Sequence, residues 1–318
     1  MRTPVPVPIV VVCGLPGAGK SRAIAHWLSR APAGERRAVL SNDPVPAQRR
    51  HGRFGGAPVF DVAGGCACCV AGPALRTTLL RALAAGPWRL VLLEASGAAV
   101  PAALVDALRA PALAGAVRVL GVVTVVDAPR AMAWLDAPEA VLARAQLDAA
   151  DVVLVNRLGA AGDASARDAL CRRLADGPFG GREIRVAGDD GPDEDVVSGV
   201  LASAAGAGAA SEGAPTRRFD AGVLLVSWRW PPERVFERLR VRPACDRAAG
   251  ARGLLRARGV WRTAREWYGC ELRAGEATWA PSAWRRDSRL ECTFADDPAP
   301  GELDAIGAAL SAAVATPG

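Results

Sequence analysis

The sequence predicts an α/β protein with a mostly parallel sheet flanked by helices, followed by a smaller α+β domain. Three observations predict it. From Val5 to about Val186, short β-branched runs alternate with Ala/Leu/Arg-rich stretches of helical spacing. Those runs are near-continuously apolar, as in strands covered on both faces. A glycine-rich segment, Gly14-Leu-Pro-Gly-Ala-Gly-Lys-Ser21, joins the first run to the first helical stretch.

In order, strands are expected at Ile9–Cys13, Ala38–Ser41, Arg89–Leu93, Arg118–Val126, Val152–Val155 and Glu183–Val186. Helices are expected at Arg22–Arg30, Leu75–Ala85, Ala102–Arg109, Pro138–Ala149 and Ser165–Ala175. The acidic run Asp189–Asp195 reads as a solvated loop capping the next helix. Ala202–Pro215, rich in Ala, Gly and Ser, reads as a linker. The expected division is therefore a parallel-sheet domain over 1–200, a linker over 201–218 and a second domain over 219–318. In that second domain, strands are expected at Ala221–Trp230, Gly253–Arg258, Arg262–Tyr268, Ala277–Ala280 and Arg289–Phe294. Pro231–Pro232 should open a helix running to about Arg240, and a final helix should span about Leu303–Ala315. No internal repeat is visible.

Composition narrows the function classes. With 318 residues, 51% hydrophobic and 23% charged, the chain is ordinary globular protein. No segment reaches the roughly 18 apolar residues that span a bilayer; the longest stretch, Val117–Val126, contains Arg118 and Gly121. Met1–Pro8 lacks the apolar region of a signal peptide, so a cytoplasmic protein with no membrane partner is expected. The net charge of +6 comes from 38 Arg against a single Lys. The arginines alternate with acids, so no nucleic-acid partner is expected. Six of the nine tryptophans lie beyond residue 218, but there 15 Arg face 13 acids. That balance favours a sheet core and a partner-docking face over a nucleic-acid stacking platform.

Four segments carry chemistry. Gly14–Ser21 fits GxxxxGK[ST] in the strand-to-helix context that a phosphate loop requires. Gly14, Pro16, Gly17, Ala18 and Gly19 let the backbone turn tightly enough to aim N–H groups at phosphate oxygens, and the helix N-terminus adds its dipole. Lys20, the chain's only lysine, should reach the β- and γ-phosphates, Ser21 should ligate Mg²⁺, and Arg22 completes the nucleotide-binding set. Leu90-Val-Leu-Leu-Glu94-Ala-Ser-Gly97 is a buried strand ending in an acid. Glu94 should hold or orient the Mg²⁺ shell, and Gly97 should offer an N–H near the γ-phosphate. Gly64-Gly65-Cys66-Ala-Cys68-Cys69 packs three thiols into four positions, a spacing that suits Zn²⁺ or Cu(I). Asp43, His51 and Asp61 are candidates for a fourth ligand. Buried apolar cysteines or a redox pair are the alternatives. Cys13, Cys171, Cys245, Cys270 and Cys292 read as core. Asn156, after the fifth strand, stands where a base-binding loop lies in GTPases.

Taken together these segments resemble the CobW-like family of P-loop GTPases, relatives of the nickel-insertion GTPases. GLPGAGKS is similar to the family P-loop, Ser41-Asn42-Asp43 to its Asn-acid step, GGCACC to its GCxCC and LLEASG to its ExSG. Val122–Asp127, Gln146–Asp151 and Leu255–Gly259 resemble further family stretches, and Asn156-Arg157 sits where NKxD lies. The resemblance implies a P-loop NTPase sheet with a CobW C-terminal-like domain. It implies hydrolysis of GTP with Mg²⁺ at Ser21, Glu94 and Asp43, Lys20 and Glu94 being catalytic. It implies Zn²⁺ or Co²⁺ at Cys66, Cys68 and Cys69, and delivery of the metal to a client metalloprotein by a monomer or weak homodimer. Two departures stand out. NKxD reads Asn156-Arg157-Leu158-Gly159, without the acid that accepts from guanine, so ATP use stays open. Pro44–Phe60 carries Arg49, Arg50, His51 and Arg53 where acids are expected. The rival readings are an ATP-using enzyme with a structural zinc and a nucleotide-binding module that does not hydrolyse.

Overall fold

The structure is a computed structural model. It describes residues 5–42, 52, 54–62, 73–113, 115–135, 137, 140–157, 164–175, 183–187, 196–197, 200, 212–220, 223–273, 276–299 and 301–315. The chain divides into two compact units, Met1–Ala204 and Ala205–Gly318.

The first unit is a parallel sheet of seven strands: β1 (Val7–Cys13), β2 (Arg37–Ser41), β3 (Val59–Asp61), β4 (Leu90–Glu94), β5 (Val117–Asp127), β6 (Val152–Asn156) and β7 (Glu183–Val186). Their spatial order is β3-β2-β4-β1-β5-β6-β7. The helices are α1 (Lys20–Ser29), α2 (Pro73–Ala85), α3 (Pro101–Leu108), α4 (Ala128–Leu135), α5 (Val141–Asp148) and α6 (Ala164–Ala175). Alternate residues of β1 enter opposite cores. Val10 and Val12 pack with Ile24 and Trp27 of α1, whereas Ile9 and Val11 pack with Leu79 of α2 and Leu104 of α3. Burial on both sides is why the strands read as unbroken apolar runs. Parallel pairing also sends every strand's C-terminal end to one edge, where Ser41 stands opposite Glu94 and Asp127 opposite Asn156.

Two features of the first unit were not anticipated. β3 has only three residues, too few for a pattern, and pairs with β2 alone. α4 starts at the residue after β5 with no loop between them. The acidic run and residues 202–211 of the expected linker lie outside the described residues.

The second unit is an antiparallel sheet in the order β12-β11-β10-β13-β9-β8, with helices α7 (Arg238–Ala249) and α8 (Glu302–Ala312). Its strands are β8 (Thr216–Asp220), β9 (Val223–Trp230), β10 (Leu254–Arg262), β11 (Trp267–Arg273), β12 (Glu276–Pro281) and β13 (Ser288–Phe294). β8 occupies part of the stretch expected as linker. Pro231–Pro232 does not open a helix. Arg234 N–H closes a turn on Pro231 O, and Phe236 stays extended in bridges to Thr263 and Val314. Phe236 is thereby buried against Trp230 and Trp261, with ring centroids 5.3 and 5.0 Å away. That contact postpones the helix to Arg238. The expected strand Arg262–Tyr268 is split by a turn closed by Thr263 N–H on Glu266 O, which ends β10 and starts β11. Trp228, Trp230, Trp261 and Trp267 are buried, as the core reading expects.

Candidate nucleotide site

The glycine loop leaves β1 at Cys13 and closes into α1 at Lys20. Three backbone positions demand glycine. Gly14 has φ +142°, and a Cβ there would lie 2.3 Å from Val125 O. Gly19 has φ +102°, and its Cβ would lie 2.3 Å from Asn156 Nδ2. A Cβ on Gly97 would lie 2.6 Å from Pro16 N. The turn after β4 is thus seated on the glycine loop itself. Gly17 also has a positive φ, of 79°. α1 has no acid in its first turn, which leaves the positive end of its dipole open to an anion. Arg22 is exposed on that turn.

Buried polar side chains gather at this edge. Lys20 Nζ donates to Gly14 O at 2.9 Å and to Leu15 O at 3.4 Å. Glu94 is 0% exposed. One of its oxygens accepts from Ser21 Oγ and the other from Ser41 Oγ, the latter at 3.1 Å. A carboxylate this deep needs such donors to offset lost hydration. Beneath the loop, burial pushes the Cys13 thiol up to about 12, and the Lys20 ammonium draws it back only in part. Cys13 is therefore a neutral packing group.

The loop's other flank is held by the base-side residues. Asn156 Nδ2 donates to Ala18 O at 3.0 Å. Arg157, in left-handed backbone at φ 58°, donates to Gly17 O at 3.3 Å and forms an ion pair with Asp127. Gln146 is buried and donates from Nε2 to Gly97 O at 3.2 Å and Ala99 O at 3.1 Å, bracing the turn after β4. Asp151 accepts from Val122 N at 2.8 Å, next to the register shift between β1 and β5.

Gly14, Pro16, Gly17, Ala18, Gly19, Lys20, Ser21, Glu94, Gly97, Asn156 and Arg157 therefore meet at one sheet edge. Asp43, His51, Cys66, Cys68 and Cys69 lie outside the described residues. Asp61 is exposed at the end of β3. Among the described residues no group of three or more His, Cys, Asp or Glu side chains is placed to hold a metal ion. Residue-by-residue reading gave no role to Ser41, Asp127, Arg130 or Gln146. The polar ends of the otherwise apolar strands β2 and β5 were the available signal for the first two.

The model of the CobW/HypB/UreG nucleotide-binding domain matches residues 8–177, more than half of the chain. The chain belongs to the CobW/HypB/UreG family. Among curated proteins it is 31% identical to the zinc chaperone CobW of Pseudomonas aeruginosa, over 39% of this chain and 36% of that one. The chain thus spans about a third of the length of the curated relative it matches. Among solved structures, Zn(II)-bound YjiA GTPase from E. coli is 18% identical, covers 97% of this chain and 99% of its own, and superposes with a TM-score of 0.48. The hydrogenase maturation factor HypB from Archaeoglobus fulgidus is 16% identical, covering 61% of this chain and 90% of its own, with a TM-score of 0.43. The matched span of the CobW/HypB/UreG domain contains every nucleotide-side residue described above. Among the described residues no helix is long and apolar enough to cross a membrane.

Proposed function

We propose that this chain hydrolyses GTP and couples its nucleotide state to the binding and transfer of zinc or cobalt to a client metalloprotein. The observation that carries the nucleotide half is the fully buried Glu94 carboxylate, held between the hydroxyls of Ser21 and Ser41 at the mouth of the glycine loop. Ser21 Oγ and Glu94 form an all-oxygen donor pair of the kind Mg²⁺ takes, so the residues fit that ion, with Asp43 a further candidate. When bound, Mg²⁺ would neutralise charge on the phosphate chain. The chain's own residues do the rest. N–H groups from Gly17 to Ser21 cradle the phosphates, Lys20 exchanges its carbonyl partners for phosphate oxygens, and Gly97 N–H faces the terminal phosphoryl group.

The transition metal is cargo in this reading, carried by Cys66, Cys68 and Cys69 with Asp43, His51 or Asp61 completing the set. Chain connectivity supports coupling. Val62, the last described residue before the cysteines, donates its N–H to Ser41 O at 2.9 Å, and Ser41 in turn holds Glu94. Four covalent steps, at most about 14 Å, separate Val62 from Cys66.

The test is phosphate release from GTP and from ATP by the purified chain, with and without Zn²⁺. GTP turnover should fall at least about 100-fold in Lys20→Ala. Release unchanged by that substitution removes the hydrolase half. Equal zinc affinity with and without a non-hydrolysable GTP analogue removes the coupling. Equal GTP and ATP turnover moves the reading to relaxed base choice, which Gly159 in place of the guanine-accepting acid favours.

A further inference from the structure

Arg130 occupies an unusual place for a cation. It lies in the first turn of α4, where the helix dipole disfavours positive charge. It is exposed, and its Nη1 donates to Pro16 O at 3.2 Å. The same Nη1 lies 3.7 Å from where a Cβ on Gly17 would stand. One guanidinium hydrogen bond leaves four donors for other acceptors.

The neighbouring cations have defined places. Lys20 lies under the loop on Gly14 and Leu15 carbonyls, and Arg157 is tied to the Asp127 carboxylate. The Pro16 nitrogen faces the turn after β4, at Gly97. Arg130 instead reaches the loop on its carbonyl side, at Pro16 O and beside Gly17, where the proposed phosphate cradle begins. Three cations thus surround one loop, an arrangement suited to a ligand of charge about −3 to −4 such as a nucleoside triphosphate.

Resting on the nucleotide-hydrolase reading above, we propose that Arg130 is a catalytic residue supplied in cis, which leaves Pro16 O to contact the phosphate chain during transfer. In the step it serves, a water oxygen bonds to the terminal phosphorus. The bond from that phosphorus to the bridging oxygen breaks. The diphosphate keeps the electron pair, and the water proton passes to the released phosphate. Charge grows on the bridging and terminal oxygens as that bond lengthens, and Arg130, once off Pro16 O, neutralises it beside Gly17.

The experiment compares wild type, Arg130→Ala and Arg130→Lys by single-turnover hydrolysis of GTP and ATP. It also measures binding of the diphosphate with and without aluminium fluoride. In Arg130→Ala the turnover rate should fall about 10- to 1000-fold with KM changed less than about threefold, and the aluminium fluoride complex should weaken in step. Arg130→Lys should recover part of the rate, since charge is kept and the planar fork lost. Wild-type rates in Arg130→Ala overturn the inference. So does a loss confined to KM and diphosphate affinity, which would make Arg130 a binding cation only. A wild type inert toward both triphosphates brings down the underlying reading, so the two failures are distinguishable.

Discussion

The two units bury different things. Of the buried polar or charged residues, ten lie in the first unit (Lys20, Ser21, Ser41, Asn42, Thr78, Glu94, Ser96, Thr124, Asp127 and Gln146). Among the described residues only Ser288 and Arg289 lie in the second. Four of the ten, Ser41, Asn42, Glu94 and Asp127, end parallel strands or directly follow them, and Lys20 and Ser21 open α1 beside those ends. Two of the ten carry atoms without a hydrogen-bond partner, Asn42 Nδ2 and Asp127 Oδ1. Each such atom costs about 1–3 kcal/mol. The second unit instead closes around aromatic rings. Its buried guanidinium, Arg289, is satisfied locally by Asp287 and Glu291 and lies over the Trp284 ring. A parallel sheet gathers its strand ends and invites polar chemistry there. An antiparallel sheet with two covering helices spends its core on packing.

The largest expected effect tests the packing side. Trp261 is 1% exposed and touches both Trp230 and Phe236. Trp261→Ala should destabilise the second unit by about 3–5 kcal/mol, read by denaturant unfolding followed by circular dichroism. Nucleotide affinity, measured well below the transition, should stay within about twofold. A parallel loss of nucleotide affinity would mean that the two cores are not independent.

An intermediate effect is expected at Gln146. Gln146→Leu keeps roughly the volume and removes the donors to Gly97 O and Ala99 O. The turn seated on Pro16 should loosen, and triphosphate affinity should fall about tenfold, with a stability loss of about 1–3 kcal/mol. Calorimetric titration and thermal melting separate the two. A melting shift with unchanged affinity would make Gln146 a packing residue of the first unit rather than part of the site.

This contrast also explains how much could be read in advance. The glycine loop, Glu94 and the parallel strands were legible because each is a local pattern whose chemistry and neighbours lie within a few residues. Gln146 was not, because its acceptors are 49 and 47 positions away and only the folded sheet edge brings them together. Arg130 was hidden for the same reason, 114 positions from its partner Pro16. In the second unit, Pro231–Pro232 signalled a helix by local rule, but burial of Phe236 against two tryptophan rings outweighed it. The Cys66–Cys69 cluster lies outside the described residues, and its role rests on its spacing and on the proposal built from it.

The smallest effect concerns thiols and sets buried cysteines against those proposed to carry cargo. Cys13, Cys245, Cys270 and Cys292 are buried. Burial pushes Cys13 up to about 12 and raises Cys245 and Cys292 above the usual thiol range. Because these raised values keep the group neutral below them, an aromatic disulfide reagent at pH 8 meets essentially no thiolate at those three sites. Cys270 is drawn down by its hydrogen bond with Cys245 and is shielded by burial alone, whereas partial burial raises the Cys171 thiol but leaves it accessible. The reacting thiols of the native chain should therefore come from Cys66, Cys68, Cys69 and the half-buried Cys171. One equivalent of Zn²⁺ should slow three of them and leave the fourth unchanged, because zinc-bound thiolates are withdrawn from exchange. Cys171→Ser should then leave a chain whose fast thiols all respond to zinc. Fast reaction of a core cysteine would contradict the packing, and indifference of every thiol to zinc would remove the cargo site while leaving the nucleotide site untouched.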